Sequence, residues 1–395
     1  MSVIAIIVIL FLEVLTMKAL WDHYFRAARS RFFIAITIHL LLSIWLWISL
    51  IRFMVYGGFY DDPVNIKNQL TVTGLTAGVL FPRFVLDILH FTGRLMRIRK
   101  GGHIRWLTKS GIILSAVICL VFASGAIHGR FNVKTEEVTV RIKNLDPRLE
   151  GLRIAQLSDL HLSGFYGHTK YLAYAMDKIT AFHPDLVINT GDFVSYGWRE
   201  YDSFDTLLKR TRGTSGNFAV QGNHDSGVYY PGADQKVMNA IVIKLNELIT
   251  ASGYRVLNDE HIIINIHGAN VAIIGVKTGG SHPNIIHGDL NKATQGIDST
   301  DLKILLCHDP NQWDEDVAGK TDIDLTFSGH THGGQFGILT KKFSWSPVKK
   351  FYPHWYGLFS EGNQYLYVNR GLGYLGVPFR IWMPPEIALV TLKAN

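Results

Sequence analysis

Two histidines lie one residue apart in a glycine-rich segment of the chain. The stretch is "DLTFSGHTHGGQFG", residues 324–337, and it places His330 and His332 among four glycines directly after a short apolar run. A single Gly-His pair is uninformative, because glycines mark tight turns in many loops. Imidazole is also the commonest protein ligand for metal ions. The rest of the chain must therefore show whether other ligands accompany this pair.

Four other apolar runs of strand length end in residues of the same chemical kind. They lead into Asp159-Leu160-His161, Gly191-Asp192, Gly222-Asn223-His224-Asp225 and His308. Loops at the carboxyl ends of strands in an open α/β sheet converge on one crevice, so these motifs are predicted to meet. Their His, Asp and Asn side chains are nitrogen and oxygen ligands. The number of such groups exceeds what one ion uses, and the sequence therefore predicts two ions.

The ordered set of motifs resembles that of the calcineurin-like metallophosphoesterases, over about residues 150–392. The later stretches "GGQFG", "YVNRGLG" and "PPEI" are similar to a membrane-associated bacterial branch of that family, with enzymes resembling UDP-2,3-diacylglucosamine hydrolases. The resemblance implies a hydrolase that cleaves phosphate mono- or diesters by attack of a metal-bound hydroxide. It implies two divalent ions as cofactors, and these ligands accept manganese, iron or zinc alike.

Carried over to this chain, the family pattern assigns a role to each candidate residue. One ion is assigned Asp159, His161 and His332, the other is assigned Asn223, His308 and His330, and Asp192 bridges the two. His224 is not needed as a ligand, and it is expected to stabilise the transition state or to protonate the leaving oxygen. Asp225 is expected to orient the His224 ring.

Strand-length apolar runs continue from about Thr135 to the end of the chain. Ten of them predict strands: "EEVTVRI", "LRIAQLS", "DLVINT", "NFAVQ", "HIIINI", "NVAIIGV", "LKILLC", "IDLTFS", "YLYVN" and "EIALVTL". Helices are predicted at 168–182 and 235–252. This order predicts a layered α/β sandwich with two mixed β-sheets. The expected boundaries are a linker with the first strand at 129–149 and a metallophosphoesterase domain at 150–395.

Residues 1–128 have a different character, because four apolar stretches lie within them. The stretches are Val3 to Leu20, Phe32 to Ile51, Leu70 to Leu89 and Gly111 to Ile127. Each is close to the roughly 20 residues that a helix needs to cross a bilayer. The first could be a signal peptide, but it lacks a basic start and carries Glu13. A transmembrane region of four helices is predicted, and Pro82, Arg83 and Asp87 interrupt the third.

The net charge divides between these two parts. Residues 1–150 carry a balance of +9 and residues 151–395 a balance of −2, within the overall +7. Nucleic-acid binding is not expected, since it requires a basic face on the soluble domain. Nine Lys and Arg residues cluster around the first and third loops between the helices: Arg26, Arg29, Arg31, Arg94, Arg97, Arg99, Lys100, Arg105 and Lys109. By the positive-inside rule these loops are cytoplasmic, which predicts a multi-pass protein of the inner membrane with an extracytoplasmic catalytic domain.

Several classes of function are compatible with these features. The leading hypothesis is a membrane-anchored, metal-dependent phosphohydrolase whose partners are the lipid bilayer and a phosphate ester, for instance of a lipid or envelope component. A catalytically inactive binding or signalling module would normally lack a ligand, and none is missing. An inverted topology would instead favour a cytoplasmic-facing UDP-2,3-diacylglucosamine-type pyrophosphatase. A transporter or receptor would use polar residues within the helices, such as Glu13, Arg83 and Asp87.

A segment rich in aromatic residues and lysines follows the last histidine motif. It reads "KKFSWSPVKKFYPHWYGLF", and membrane interfaces favour this combination. The alternative is an ordinary loop whose aromatic side chains pack on the domain. The sequence supports the hypothesis that Trp345, Tyr352 and Trp355 form a lip that admits a lipid headgroup.

Overall fold

The computed structural model describes residues 3–25, 28–56, 62–97, 104–277, 288–340 and 342–395. The chain divides into two compact units. One unit holds the four long helices together with Gly376–Phe379, and the other holds the α/β part. Of the basic residues discussed above, Arg26, Arg99, Lys100 and Lys341 lie outside the described ranges.

The helical unit contains the four predicted helices. They are α1 (Val3–Tyr24), α2 (Arg29–Tyr56), α3 (Pro63–Leu95) and α4 (Arg105–Ile127). All four are long and apolar enough to cross a membrane, which confirms the prediction of four helices. Proline in a helix leaves the carbonyl four residues earlier without its donor. In α3 the thiol of Cys119 approaches that carbonyl, Gly78 O, at 3.9 Å, and α3 continues through Pro82.

Charged side chains buried between these helices pair with one another. The Arg83 guanidinium donates to Glu13 Oε1 at 3.1 Å and to Ser43 Oγ at 2.9 Å. The Thr16 hydroxyl donates to the Asp87 carboxylate at 3.1 Å. Ionisable groups inside a membrane protein are costly unless they are paired in this way. The charges that the sequence marked as interruptions of the third stretch thus have partners on neighbouring helices.

The α/β unit contains all ten predicted strands and four further ones. The strands are β1 (Lys134–Ile142), β2 (Arg153–Leu157), β3 (Leu186–Asn189), β4 (Gly216–Ala219), β5 (Arg255–Val256), β6 (Glu260–Ile266), β7 (Ala269–Gly275), β8 (Leu302–Leu306), β9 (Leu325–Ser328), β10 (Ile338–Leu339), β11 (Ser344–Trp345), β12 (Gly357–Glu361), β13 (Gln364–Val368) and β14 (Glu386–Ala394). The helices are α5 (Thr169–Phe182), α6 (Asp205–Leu208), α7 (Gln235–Ala251) and α8 (Leu290–Ala293). Both predicted helices, α5 and α7, are confirmed.

Two six-stranded sheets and one small hairpin account for these strands. The first sheet has the order β1-β14-β2-β3-β4-β5, and the second has the order β12-β13-β9-β8-β7-β6. Strands β2 to β5 are parallel, as are β13, β9, β8 and β7, whereas β14 against β2, β12 against β13, and β6 against β7 are antiparallel. Both sheets are therefore mixed, as predicted. Within the described residues, strands β10 and β11 pair with each other and with no other strand.

Alternate residues of each strand enter different apolar layers, because neighbouring side chains point to opposite faces of a sheet. Ile154 lies in the core between the two sheets, while its neighbour Ala155 packs under α5 and α7. In the second sheet Ile273 joins the central core and Ile274 joins a third cluster that covers the outer face. The result is a four-layered sandwich of helices, sheet, sheet and helices.

Strand β1 lies in the segment 129–149, which the sequence analysis assigned to a linker and the first strand. It pairs in parallel with β14 over nine residues, from Lys134 opposite Glu386 to Ile142 opposite Ala394. Its burial alternates between exposed and buried positions, as expected for an edge strand with one face on a core. The first sheet of the α/β unit therefore begins at Lys134.

Candidate metal centre

The carboxyl ends of five central strands meet at one edge of the sandwich, as their sequence motifs predict. The loops after β2 and β3 are joined by the backbone amides of Asp159 and His161, which donate to Gly191 O at 2.9 Å and to Asp192 O at 3.1 Å. The loop after β9 is joined to that after β8, since Gly329 N donates to His308 O at 3.0 Å. These bonds hold chain segments that are far apart in sequence against one another.

Four side chains form a first group of potential ligands. They are Asp159, His161, Asp192 and His332, which are all buried and each offer one ligand atom within 4.8 Å of the others. The Nε2 atoms of His161 and His332 lie 3.1 Å apart, and His332 Nε2 lies 3.3 Å from Asp159 Oδ1. His161 Nε2 lies 3.7 Å from Asp192 Oδ2. The arrangement offers two nitrogen and two oxygen donors around one point.

A second group adjoins the first and shares Asp192 with it. The ligand atoms of Asp192, His308 and His330 fall within the same mutual distance. His308 Nε2 lies 3.2 Å from Asp192 Oδ2 and 3.1 Å from Asn223 Oδ1. His330 Nδ1 lies 3.1 Å from His308 Nε2. All seven residues that the sequence nominated as ligands are thus brought together, in two groups that share one carboxylate.

The protonation states of the histidines His161 and His330 are compatible with binding a cation. Burial lowers the pKa of His161 to about 3 and that of His330 to about 4, so both imidazoles are neutral near pH 7. The Nε2 atoms of His161 and His332, which face each other at 3.1 Å, can both direct a lone pair at one cation. A divalent ion of the manganese, iron or zinc type fits this donor set, because imidazole and carboxylate are its usual ligands.

The carboxylate of Asp192 is the electrostatic centre of the cluster. Burial opposes its charge, but the neighbouring histidines, led by His308, together outweigh burial, and the pKa of Asp192 lies well below its usual range. In return, and against the effect of burial, Asp192 raises the pKa of His308 to about 10. The centre of the site therefore stabilises positive charge strongly.

Second contacts fix the orientation of the imidazole rings. His308 Nδ1 donates to the carbonyl of Thr190 at 2.6 Å, and this contact turns its Nε2 atom toward Asp192 and Asn223. His161 Nδ1 lies 3.1 Å from Ser195 Oγ, and His330 Nε2 lies 2.7 Å from the Tyr352 hydroxyl. In metal proteins a partner on the second ring nitrogen sets the tautomer and holds the ring in place.

The backbone at these residues is strained. Five of the nominated ligands have left-handed backbone conformations, with φ between 41° and 69°: Asp159, His161, Asp192, His330 and His332. Such a conformation is uncommon for residues other than glycine. It persists only where the surrounding structure imposes it, and it concentrates at functional sites.

Glycines are required where the motif loops touch. A Cβ atom at Gly329 would lie 1.8 Å from Ser158 Oγ, and one at Gly222 would lie 2.1 Å from Asp192 Oδ1. Both distances are far below van der Waals contact. The glycines beside the histidine and asparagine motifs thus let the loops approach closely enough for the ligands to converge.

His224 stacks against the ligand cluster without belonging to either group. Its backbone amide donates to Asp192 Oδ1 at 2.9 Å, and its ring lies edge-on to His161 with the centroids 5.2 Å apart. Its Nδ1 donates to the Ser195 carbonyl at 2.7 Å, so Nε2 is the ring atom left to exchange a proton. The other face of the ring stacks on Tyr229 at 4.2 Å.

Asp225 does not orient the His224 ring, contrary to the sequence analysis. Its carboxylate accepts from the amides of Gly222 at 2.9 Å and Val194 at 3.2 Å. It is fully buried, and burial, followed by the charge of Asp192, raises the pKa of Asp225 to about 8. The residue ties the loop after β4 to the loop after β3, and the ring is oriented by the Ser195 carbonyl.

Ser195 and Glu200 are site residues that the sequence analysis missed. Ser195 contacts both His161, through its hydroxyl, and His224, through its carbonyl. The buried Glu200 carboxylate accepts from the amides of Ser195 at 2.9 Å and Tyr196 at 2.6 Å and thereby fixes this loop. The sequence signal for Glu200 is weak, because it consists of an acidic residue a few positions after the Gly-Asp motif that ends a strand.

Arg380 is a third residue near the ligands to which the sequence analysis gave no role. It is buried, and its guanidinium donates to the carbonyls of Gly373 at 2.6 Å, Arg370 at 2.9 Å and Gly371 at 3.1 Å. It also reaches the His332 carbonyl at 3.3 Å. A guanidinium offers five donors in a fixed fork, so Arg380 clamps the loop after β13 to the histidine loop.

Comparison with known proteins agrees with the geometry. The family model for calcineurin-like phosphoesterases matches residues 152–334, a range that includes all the nominated site residues. A protein of Helicobacter pylori J99 named as an uncharacterized metallophosphoesterase is 30% identical over 275 residues, which cover 69% of this chain and 67% of that protein.

Two further relatives differ in how far the match extends. The uncharacterized metallophosphoesterase YkuE of Bacillus subtilis is 29% identical over 270 residues, which cover 67% of this chain and 86% of that protein. A Danio rerio protein named as a transmembrane protein with metallophosphoesterase domain is 28% identical over 336 residues, covering 81% of this chain and 72% of that protein. The latter match exceeds the length of the α/β unit and therefore reaches into the apolar helices. The chain belongs to the calcineurin-like metallophosphoesterases, which depend on divalent metal ions, and it is a hydrolase of phosphate esters.

Proposed function

We propose that the chain is a membrane-anchored phosphoesterase that uses two divalent ions to hydrolyse phosphate mono- or diesters. The observation that carries this proposal is the sharing of Asp192 between two groups of buried donors. A carboxylate oxygen between two ions offsets their mutual repulsion, and this is the usual arrangement when two ions act on one phosphorus centre.

The two groups define the two proposed ligand sets. Asp159, His161 and His332 would hold one ion, Asn223, His308 and His330 would hold the other, and Asp192 would contact both. When bound, the pair of ions would lower the pKa of a coordinated water and polarise the phosphoryl oxygens. The protein holds the imidazole rings in the required tautomers through Thr190 and Ser195.

His224 is the proposed proton donor to the leaving oxygen. The Ser195 carbonyl holds the proton on Nδ1, so a proton on Nε2 can be given to the departing alkoxide while the ring keeps its orientation. Such a transfer contributes about 10²- to 10⁴-fold to a rate. Asp225 is proposed as a positioning residue, since its carboxylate holds the amides that shape the loop before His224.

The test is metal dependence of the purified full chain. Chelation should abolish hydrolysis of aryl phosphate mono- and diesters, and addition of Mn²⁺, Fe²⁺ or Zn²⁺ should restore it. Metal analysis should give two ions per chain in the active form. Binding of metal without hydrolysis of any ester would favour the inactive binding module and contradict the proposal.

The catalytic unit is proposed to face away from the cytoplasm. The support is the concentration of Lys and Arg at the ends of α2, α3 and α4, since positively charged loops are retained in the cytoplasm. A reporter active only outside the cytoplasm, fused after Asn395, should be active. Activity of a cytoplasm-dependent reporter at that position would invert the topology and restore a UDP-2,3-diacylglucosamine-type substrate as an alternative.

A further inference from the structure

Five aromatic side chains are exposed on the part of the α/β unit that follows the histidine loop. This aromatic face consists of Phe336, Phe343, Trp345, Phe351 and Trp382. Phe351 is 68% exposed and Trp382 is 63% exposed, although rings of this size are normally buried in a soluble domain. Trp355, which the sequence analysis placed on a lip with Trp345 and Tyr352, is only 3% exposed and belongs to the interior.

Several of these rings lie side by side on one surface. The Phe336 ring is 6.2 Å from that of Trp345 and 6.5 Å from that of Trp382. The backbone links them further, because Trp345 pairs with Ile338 in the β10–β11 hairpin and Phe336 bridges to Ile381. Residues from distant parts of the chain thus contribute to one apolar surface.

Trp382 is held on this surface at a conformational cost. Its φ is 54°, in the left-handed region that large side chains avoid. A strained backbone that keeps a large apolar ring in solvent is not explained by packing of the α/β unit. This conformation indicates that the Trp382 ring faces a binding partner outside the α/β unit.

The chain segment that carries most of the aromatic face is rich in lysine. Residues 333–359 contain four lysines and neither Asp nor Glu. Lys342, Lys349 and Lys350 are exposed, and no ion pair involving them occurs within the described part of the chain. The Lys350 ammonium lies 6.0 Å from the centre of the Phe351 ring. The surface thus combines exposed aromatic rings with unneutralised ammonium groups.

The aromatic face is joined directly to the proposed metal ligands. Tyr352, the residue after Phe351, places its hydroxyl 2.7 Å from His330 Nε2. Ser346, the residue after Trp345, donates from its hydroxyl to the Phe336 carbonyl at 2.9 Å. Phe351 of the aromatic face is thus the sequence neighbour of Tyr352, which contacts a proposed metal ligand. The aromatic face therefore lies close in sequence to the site at which esters would be hydrolysed.

We infer that the aromatic face docks on an anionic lipid bilayer and that the substrate is the phosphate ester of a membrane phospholipid. Aromatic rings favour the headgroup layer, and lysines are attracted to the surface of an anionic bilayer. The chain supplies its own bilayer contact through four apolar helices. This inference rests on the proposed phosphoesterase function and adds the substrate class to it.

The reaction implied is hydrolysis at the phosphorus of the lipid. The oxygen of water forms a bond to phosphorus, one phosphorus–oxygen ester bond breaks, and the leaving oxygen takes a proton from His224. The proton released by the attacking water restores His224 in the net reaction. No oxidant or other co-reactant is required.

The test compares two rates of the full chain in vesicles of phosphatidylcholine and phosphatidylglycerol. One is hydrolysis of phosphatidic acid or phosphatidylglycerol in the bilayer, and the other is hydrolysis of a water-soluble aryl phosphate. Replacement of Trp345, Phe351 and Trp382 by Ser should lower the ratio of lipid to soluble turnover by at least about tenfold, because three interfacial rings are lost.

A matched control is available elsewhere on the same unit. Tyr174, Ile243 and Ile263 are exposed apolar side chains outside the aromatic face, and Ile243, at 62%, is nearly as exposed as Trp382. Replacing these three by Ser should leave the ratio unchanged. An equal fall of the ratio in the control would mean that any loss of exposed apolar surface has this effect, and it would overturn the inference.

A second readout does not depend on turnover. An environment-sensitive fluorophore at Phe351→Cys, in a Cys119→Ser background, should be quenched by nitroxide-labelled lipid, whereas the same label at Tyr174→Cys should not. Cys307 is buried, and burial raises the pKa of its thiol, so it should not react with the label. Equal quenching at both positions, or none at Phe351→Cys, would contradict docking.

The outcomes separate this inference from the proposed function. If the wild-type chain cleaves the aryl phosphate but no lipid, the substrate is water-soluble and only the lipid inference fails. A ratio that is unchanged in the aromatic-face variant, whether both rates fall or neither does, overturns it as well. If the metal-loaded wild type cleaves neither substrate, both proposals fail.

Discussion

Buried polar groups in the helical unit and in the metal centre are satisfied in different ways. In the helical unit each buried charge meets a protein partner, such as Arg83 with Glu13 and Asp87 with Thr16. In the metal centre, nitrogen donors face nitrogen donors, as His161 faces His332 and His308 faces His330. The first pattern is complete within the protein, whereas the second offers a set of nitrogen and oxygen ligands to a cation. The comparison indicates which polar cluster binds a ligand.

The largest effect is expected where both proposed ion sites share a residue. Asp192→Ala removes a donor from both and leaves their repulsion uncompensated. Loss of several kcal/mol of transition-state stabilisation corresponds to a fall in turnover of about 10³-fold or more. Turnover and metal content should fall together. Full activity of this variant would contradict the two-ion assignment. It would also remove the contrast between the metal centre and the buried polar groups of the helical unit.

His224→Ala should have the next largest effect, with a different signature. The ring is proposed as a proton donor and lies outside both ligand groups, so metal content should be retained while turnover falls by about 10²-fold or more. An aryl ester with a good leaving group should lose less activity than an alkyl ester, since it needs less protonation. Loss of metal from this variant would move His224 into the ligand set.

Glu200→Gln should have a smaller effect, because Glu200 acts through Ser195. A glutamine keeps the size of the side chain but only one acceptor oxygen for the amides of Ser195 and Tyr196. Partners that orient metal ligands typically contribute about 10- to 100-fold, and metal affinity and turnover should both fall within that range. Thermal unfolding at saturating metal should be close to that of the wild type. A purely structural role would lower thermal stability without changing metal affinity.

Arg83→Ala should change the metal centre least. It leaves the half-buried Glu13 without its cationic partner, although Trp47 still donates to it, and should destabilise the helical unit by about 3 kcal/mol. The metal content of the folded protein should be unchanged. Its turnover of a soluble ester should stay within about twofold of the wild-type value, which is a smaller change than that expected for a residue that positions a ligand. Detergent-solubilised protein should therefore unfold at a lower temperature while its metal content stays constant. A loss of metal would show that the helices contribute to the centre.

The sequence predicted most of the fold because the information is local. Ten strands and two helices of the α/β unit follow from apolar periodicity, and the four long helices follow from stretches that are apolar on every side. The missed strands β5, β10 and β11 have two residues each, which is too short for any periodicity. Strand β12 has three exposed and two half-buried positions, and Phe359 is one of the half-buried ones. It was not recognised because it begins within the aromatic segment.

Candidate ligands were easier to predict than the residues that position them. Asp159 and His332 belong to compact motifs of distinctive residue types, whereas Ser195 acts through a carbonyl that every residue possesses. The sequence analysis assigned the orientation of the His224 ring to Asp225. In the structure the Asp225 carboxylate accepts from backbone amides instead. Hydrogen bonds to main-chain groups leave no mark in sequence composition.

The position of β14 in the first sheet sets the order in which the catalytic unit can be completed during synthesis. Strand β14 lies between β1 and β2, yet it leaves the ribosome after both of them and after every ligand motif. Until then the two neighbouring strands have open edges, and such edges pair readily with other chains. A chain truncated before Glu386 would carry every ligand and still lack the strand that closes its sheet. The sheet that supports the metal centre can therefore close only after the helices and every ligand residue have been translated.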